Sequence, residues 1–295
     1  MGDLTRALRE NAAAVNGTLD QLLPRTQGAE GRVAEAMRYA TLAGGKRLRP
    51  FLVVAGARLF DVPERSALRA AAAVEMIHSY SLVHDDLPAM DDDDLRRGQP
   101  TCHVAFDEAT AILAGDALLT RAFEVLSASE THADPAVRCE LVHGLAVAAG
   151  SAGMVGGQMI DLIAEGRALD IDGVTRLQAL KTGALIAFSC EAGAILGEAG
   201  AQARVALAGY GRDLGLAFQV TDDLLDVEGS EAETGKAVGK DAVVGKATFV
   251  ELLGVEGARE YAGDLVGRAC AGLDPFAGKA ELLRQVARFV IERRH

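Results

Sequence analysis

The sequence predicts an all-α protein, and three observations carry that prediction. Alanine, leucine and valine are abundant while aromatics make up 4% of residues and tryptophan is absent, a composition suited to close helix contacts between small side chains. None of the prolines lies between Pro135 and Pro275, so nothing there forces a helix to stop. No stretch alternates apolar and polar residues convincingly, as a half-buried strand does.

Taken in order, the chain gives about ten helical segments. Leu4 to Leu23 and Gly31 to Leu42 come first and end at the break Ala43-Gly44-Gly45. Leu48 to Phe60 and Glu64 to His84 follow, the second leading into an aspartate cluster. Beyond a loop through Gly98-Gln99-Pro100, a helix resumes from about Phe106 to Ser127. Asp134 to Ile163, Asp170 to Leu196 and Gln202 to Val227 come next, the last carrying a second aspartate cluster. A polar, glycine-bearing loop from Glu228 to Gly245 precedes two closing helices. No linker interrupts this series, so one domain over residues 1–295 is expected.

Leu141 to Ile160 contains no Asp, Glu, Lys or Arg and reaches transmembrane length. It also holds His143, Ser151 and Gln158 and is mostly alanine and glycine, so it reads as a buried central helix and not as a membrane span. Asp3, Arg6, Arg9 and Glu10 interrupt any apolar core of a signal peptide. The net charge of −12 argues against a nucleic-acid partner, whose phosphates require a cationic surface. Cys102, Cys139, Cys190 and Cys270 are scattered singly, which fits neither a zinc site nor a disulfide framework and suits a reducing cytoplasm.

The first aspartate cluster is Asp85-Asp86-Leu87-Pro88-Ala89-Met90-Asp91, continuing through Asp94; the second is Asp222-Asp223-Leu224-Leu225-Asp226. Asp222 and Asp226 share one helix face. Pro88 discourages a regular helix, so Asp85-Asp86 should end a helix with Asp91 swung back from a loop. Carboxylates crowded in this way repel one another unless cations neutralise them, and Mg²⁺ commonly takes one or two carboxylates plus substrate phosphates. Asp92 to Asp94 alone read as solvated surface. The two clusters read as metal-binding.

Several cations complete the pattern. Gly44-Gly45-Lys46-Arg47-Leu48-Arg49-Pro50 sets three cations beside flexible backbone at a helix start, which favours anions. Arg96-Arg97 follow the acidic run. Lys181-Thr182-Gly183 lies in a long helical stretch that Gly183 weakens, letting backbone carbonyls turn toward a cavity. Lys236 and Lys246 each follow a glycine after the second cluster. Each alone suits solvated surface; together with the aspartates they suit metal-bridged diphosphates.

These motifs resemble those of the trans-isoprenyl diphosphate synthases, and most closely the bacterial farnesyl diphosphate synthases. The likeness extends from Gly44 to the Gly245-Lys246-Ala247-Thr248 segment. It is most specific over His78-Ser79-Tyr80-Ser81-Leu82-Val83-His84-Asp85-Asp86 through Asp91, over Asp91 to Gly98, and over Phe218-Gln219-Val220-Thr221-Asp222-Asp223 through Asp226. It departs at Phe249-Val250, where the family usually has tyrosine-proline, and at Thr221, where a larger polar residue is common.

The resemblance implies a helical bundle around a central substrate cavity, a homodimer, and three Mg²⁺ ions. Lys46, Arg49, His78 and Arg97 would hold isopentenyl diphosphate. Arg96, Lys181, Thr182, Gln219 and Lys236, with Lys246 nearby, would line the allylic diphosphate site. Asp85 and Asp91 would ligate two ions and Asp222 the third, supported by Asp86, Asp223 and Asp226, with Gln158 and Asp161 behind them. Tyr80 and Ser81, about one helical turn before Asp85, would set product length.

In the implied reaction, the allylic C–O bond breaks and leaves negative charge on diphosphate, which cations stabilise. Isopentenyl diphosphate then attacks the allylic cation and the released diphosphate takes the proton, so no side-chain base is needed. A fifteen-carbon product is expected, with ten or twenty carbons as alternatives. A class I terpene cyclase would normally lack the second aspartate cluster and the Lys46/Arg49/His78 set. A non-catalytic partner subunit would carry degraded clusters.

Overall fold

Helices occupy nearly all of residues 2–164, 169–228 and 247–293, the part of the chain that this computed structural model describes. They are α1 (Gly2–Leu22), α2 (Gly31–Leu42), α3 (Leu48–Arg58), α4 (Glu64–Asp85), α5 (Cys102–Ala105), α6 (Glu108–Ser127), α7 (Pro135–Ala149) and α8 (Met154–Ala164). Then follow α9 (Ile171–Gln178), a π-helical turn (Ala179–Gly183), α10 (Ala184–Leu196), α11 (Ala201–Glu228), α12 (Phe249–Gly272), a 3₁₀ stretch (Asp274–Ala280) and α13 (Glu281–Glu292). Side-chain caps start several of them. Asp107, Asp134, Asp170 and Thr248 accept backbone N–H groups at the starts of α6, α7, α9 and α12, satisfying donors that the helix itself leaves unpaired.

Two apolar cores meet along α3 and α10. Val53, Val54 and Ala57 of α3, with Leu185, Phe188 and Ala192 of α10, belong to one core shared with α4 and α6. Phe51, Leu52, Ala55, Ile186, Cys190 and Ala194 belong to the other, shared with α11 to α13. The two helices approach so closely that a Cβ on Gly193 would lie 2.2 Å from the Ala57 nitrogen. Glycine is required there.

Three expectations need correction. Leu141 to Ile160 is not a buried central helix: Gly150, extended at φ −81° and ψ −161°, ends α7, and α8 begins only at Met154. Val147, Val155 and Met159 along it are exposed; helices buried nearly all round are α3 and α10. Second, the expected helix from Asp170 to Leu196 changes to a π turn midway. Third, a short antiparallel ladder exists, β1 (Leu95–Arg96) against β2 (Gln99–Pro100). Arg97 and Gly98 at its tip both have positive φ, 55° and 76°, as a tight hairpin turn requires. Four ladder residues are too few to leave a period in the sequence.

Two stretches, Pro135–Ala164 and Ile171–Leu196, are long and apolar enough by composition to cross a membrane. The first is interrupted by the Gly150–Gly153 turn, and the second runs mostly through the interior.

Candidate active site

α4 stops at Asp85 because Pro88 cannot continue it. The chain folds back at once: the Asp91 N–H donates to the Asp85 carbonyl at 2.8 Å, and the Asp92 N–H donates to Leu87 at 3.2 Å. The fold-back read from the sequence thus sets Asp91 beside Asp85. Burial lifts the Asp85 carboxyl to about 6, opposed by Lys181 and reinforced by Asp91. Among the described residues no three carboxylate, histidine or cysteine groups form a ready-made metal cage. Mg²⁺ seldom uses such a cage; it takes one or two carboxylates plus phosphate and water, and the Asp85–Asp91 pair fits that habit.

Asp86 takes a different position from its neighbours. Its side chain is buried, and Arg96 from the ladder clamps it with Nε at 2.8 and 2.9 Å and a further Nη2 contact. Asp86 and Arg96, expected among metal ligands and allylic-site residues, are therefore engaged with each other. Arg97, on the hairpin tip, instead donates to the Gly44 carbonyl, beside Gly45, where a Cβ would collide with its guanidinium.

In the second cluster, Asp222 and Asp226 are half-buried on α11, and Asp223 is buried. Asp223 accepts the Phe249 N–H at 2.8 Å and Gln219 Nε2 at 3.3 Å, so it ties α11 to the start of α12. Asp222 accepts from Arg293 Nη2 at 2.6 Å.

The π turn brings the remaining pieces together. Lys181 Nζ lies 2.6 Å from Asp161 Oδ2 on α8, and Thr182 Oγ1 lies 3.5 Å from Gln219 Oε1 on α11. Gln158, one helical turn before Asp161, is buried with neither amide atom hydrogen-bonded among the described residues. A cavity of about 120 Å³ opens among Asp161, Lys181, Gln219, Asp223 and Thr248. Lys236 and Lys246 lie outside the described residues.

Across from these, Arg49 Nη1 lies 3.5 Å from His78 Nε2. Among the described residues the buried Arg49 Nε has no partner. Burial, then the charges of Arg49, Arg97, Arg96 and Arg47, hold His78 well below the usual imidazole range. It is a neutral ring that accepts from Arg49. Burial also lowers Lys46, with Arg293 adding to the effect and Asp222 opposing it. Arg47, the middle cation of the same loop, turns inward to Glu75. Glu75 was not singled out as a site residue from the sequence; a lone glutamate inside the alanine-rich α4 was the available signal.

Tyr80 is buried on α4, edge-on to His84 with ring centroids 5.8 Å apart, and its hydroxyl makes no hydrogen bond among the described residues. Ser81 is half-buried and donates to the His78 carbonyl at 2.9 Å.

With this geometry in hand, residues 30–270 match the family model described as polyprenyl synthetase. The chain belongs to the polyprenyl synthetase family. It is a prenyltransferase of the all-α isoprenyl synthase fold. It is 50% identical over 266 residues to the farnesyl diphosphate synthase of Escherichia coli (strain K12), covering 88% of this chain and 89% of that one. It is 43% identical to the farnesyl diphosphate synthase of Haemophilus influenzae over the full length of both chains. The apo crystal structure of an FPP/GFPP synthase from Zymomonas mobilis superposes with a TM-score of 0.90 at 49% identity, covering 98% of this chain and 99% of that one.

Proposed function

We propose that this prenyltransferase condenses isopentenyl diphosphate with dimethylallyl or geranyl diphosphate, releasing diphosphate and farnesyl diphosphate. One observation carries the reading: Lys181 of the π turn lies within electrostatic reach of Asp85, while its neighbour Thr182 lies 3.5 Å from Gln219 Oε1, one turn before Asp222 on α11. This supports a site bordered by both carboxylate clusters.

Asp85, Asp91 and Asp222 would hold Mg²⁺, which supplies positive charge to the departing diphosphate. Three ions per site are the family pattern. Lys181 orients the allylic diphosphate, while the Thr182 and Gln219 oxygens face the cation left when its C1–O bond breaks. Arg49, Lys46, Arg97 and neutral His78 hold the second diphosphate. Its terminal double bond attacks C1, forming the new C–C bond, and the C2 proton leaves with the released diphosphate. The pocket around Lys181, Thr182 and Gln219 would exclude water from the cation. Asp86, Arg96, Asp223 and Asp226 brace this arrangement, and Lys236 and Lys246, which lie outside the described residues, would supply further cations to the allylic diphosphate.

The chain would act as one domain, in the cytoplasm, as a homodimer. Exposed Ile112 and Leu113 on α6 and Val147 on α7 support the last point, since such groups gain from burial. Sedimentation at micromolar concentration distinguishes dimer from monomer.

The deciding experiment incubates the protein with Mg²⁺, isopentenyl diphosphate and geranyl diphosphate, then chromatographs the dephosphorylated product. Farnesol supports the reading. A twenty- or twenty-five-carbon alcohol as the main product replaces the proposed product with a longer one, and no condensation refutes it.

A further inference from the structure

We infer that Glu75 and Arg47 form a buried positioning pair for the isopentenyl diphosphate site, an inference that rests on the site reading above. Arg47 and Glu75 side chains are 1% and 3% exposed, and Arg47 Nη1 donates to Glu75 Oε1 at 2.5 Å. Both are out of reach of solvent.

The remaining Arg47 bonds say what the pair holds. Nη2 donates to the Thr41 carbonyl at 2.6 Å, and Nε donates to Asn16 Oδ1 at 2.9 Å. One guanidinium thus ties together α1, the end of α2 and the middle of α4. Its own backbone is left-handed at φ 50° and ψ 39°, a conformation that a non-glycine residue keeps only when its surroundings fix it. The Arg47 carbonyl then accepts the Phe51 N–H at 3.0 Å, which starts α3. Lys46 precedes this clamp directly and Arg49 lies in the first turn after it. Where the two cations point is therefore set by where Arg47 is anchored.

Glu75 also acts on charge. It sits one helical turn before His78 on α4. Its carboxylate is an attractive neighbour of Arg49 and of Arg97 as well as the direct partner of Arg47. Arg49, Arg97 and Arg47 would otherwise face one another with the substrate absent. Glu75 lets these cations stay clustered and oriented before the diphosphate arrives, so less reorganisation is left for binding.

A buried ion pair can also be plain scaffolding, and the test separates the two. Glu75→Gln keeps the shape and removes the charge. It should raise the KM for isopentenyl diphosphate tenfold or more, with the KM for geranyl diphosphate changed less than threefold. Calorimetric titration with isopentenyl diphosphate without metal should show the same loss of affinity. The double variant Arg47→Met/Glu75→Leu leaves no orphaned charge, so its Tm should recover toward the parent while its KM for isopentenyl diphosphate stays high. If Glu75→Gln lowers Tm but leaves that KM unchanged, or raises both KM values alike, the pair is scaffolding and the inference fails. Arg49→Gln serves as the control for the underlying reading. An unchanged isopentenyl KM in Arg49→Gln overturns both, whereas a raised KM there beside an unchanged one in Glu75→Gln overturns this inference alone.

Discussion

Arg293, beyond the end of α13, lies with its guanidinium 3.9 Å over the Phe218 ring, while Nη2 bonds both the Phe218 carbonyl and Asp222. A cation therefore already sits on a carboxylate expected to bind metal. A basic chain end such as Arg293 suits closure over substrate or a solvated tail; Arg293 contacts the second aspartate cluster directly.

Competition follows from that contact. Arg293→Gln should lower the Mg²⁺ concentration for half-maximal turnover severalfold, because removing a charge-assisted bond of about 1.5–3 kcal/mol frees the carboxylate. A Mg²⁺ titration of initial rates measures this. An unchanged midpoint means that arginine and metal do not compete.

Asp85→Ala and Asp222→Ala should each cut turnover by orders of magnitude and leave helical circular dichroism intact. Without Mg²⁺, Asp85→Ala should also raise Tm, since it removes a carboxylate disfavoured by burial and by Asp91. Near-normal turnover in either variant would sink the metal assignment.

Acidity should act on the same group with opposite signs. Burial, reinforced by Asp91, lifts Asp85 from 3.8 to about 6, so the folded protein takes up this proton before the unfolded chain does. The Asp85 contribution to metal-free stability is thus full below pH 3.8 and lost as pH rises through about 6. Metal binding needs the ionised form, so the Mg²⁺ requirement should rise as pH falls from 7 to 5.5. Paired Tm and rate profiles of the parent and Asp85→Asn test this: the variant should lose the Asp85 part of the Tm slope.

Much of this site was legible because its chemistry is local in sequence. Pro88 announced the fold-back of Asp91, and the four-residue spacing put Asp222 and Asp226 on one face. What stayed hidden depends on contacts between distant segments. Nothing in Asp85-Asp86 tells which carboxylate turns outward, because Arg96 makes that choice from ten residues away. Arg47 looked like its two cationic neighbours until Glu75, on another helix, drew it inward. Leu141 to Ile160 misled because apolar composition reports hydropathy and not position, and its glycines do not tell which of them ends a helix, as Gly150 does.

The two diphosphate sites should respond separately. His78→Ala and Arg49→Gln should raise the KM for isopentenyl diphosphate tenfold or more with a smaller effect on the allylic substrate, and Lys181→Ala should do the reverse. A bond worth about 1.4 kcal/mol or more gives that factor. Equal effects on both substrates would reject the division.

Product length should follow α4. A helical turn rises about 5.4 Å, near the length of one isoprene unit. Tyr80→Ala should therefore extend the product to twenty carbons or beyond, and Ser81→Phe should shorten it toward ten. Tyr80 has no hydrogen bond among the described residues to lose, which leaves steric closure as its main effect. An unchanged fifteen-carbon product from Tyr80→Ala places the floor elsewhere.

The π turn at Ala179–Gly183 amounts to one residue more than a straight helix would need between α9 and α10. Deleting Ala179 would let the two helices fuse into a single regular rod. The wider turn takes up its extra residue without rotating α9 against α10, so the deletion would leave both helices in place and reset only the side chains of the turn, Lys181 and its bond to Asp161 among them. The irregularity steers one lysine while the helices on either side keep their phase.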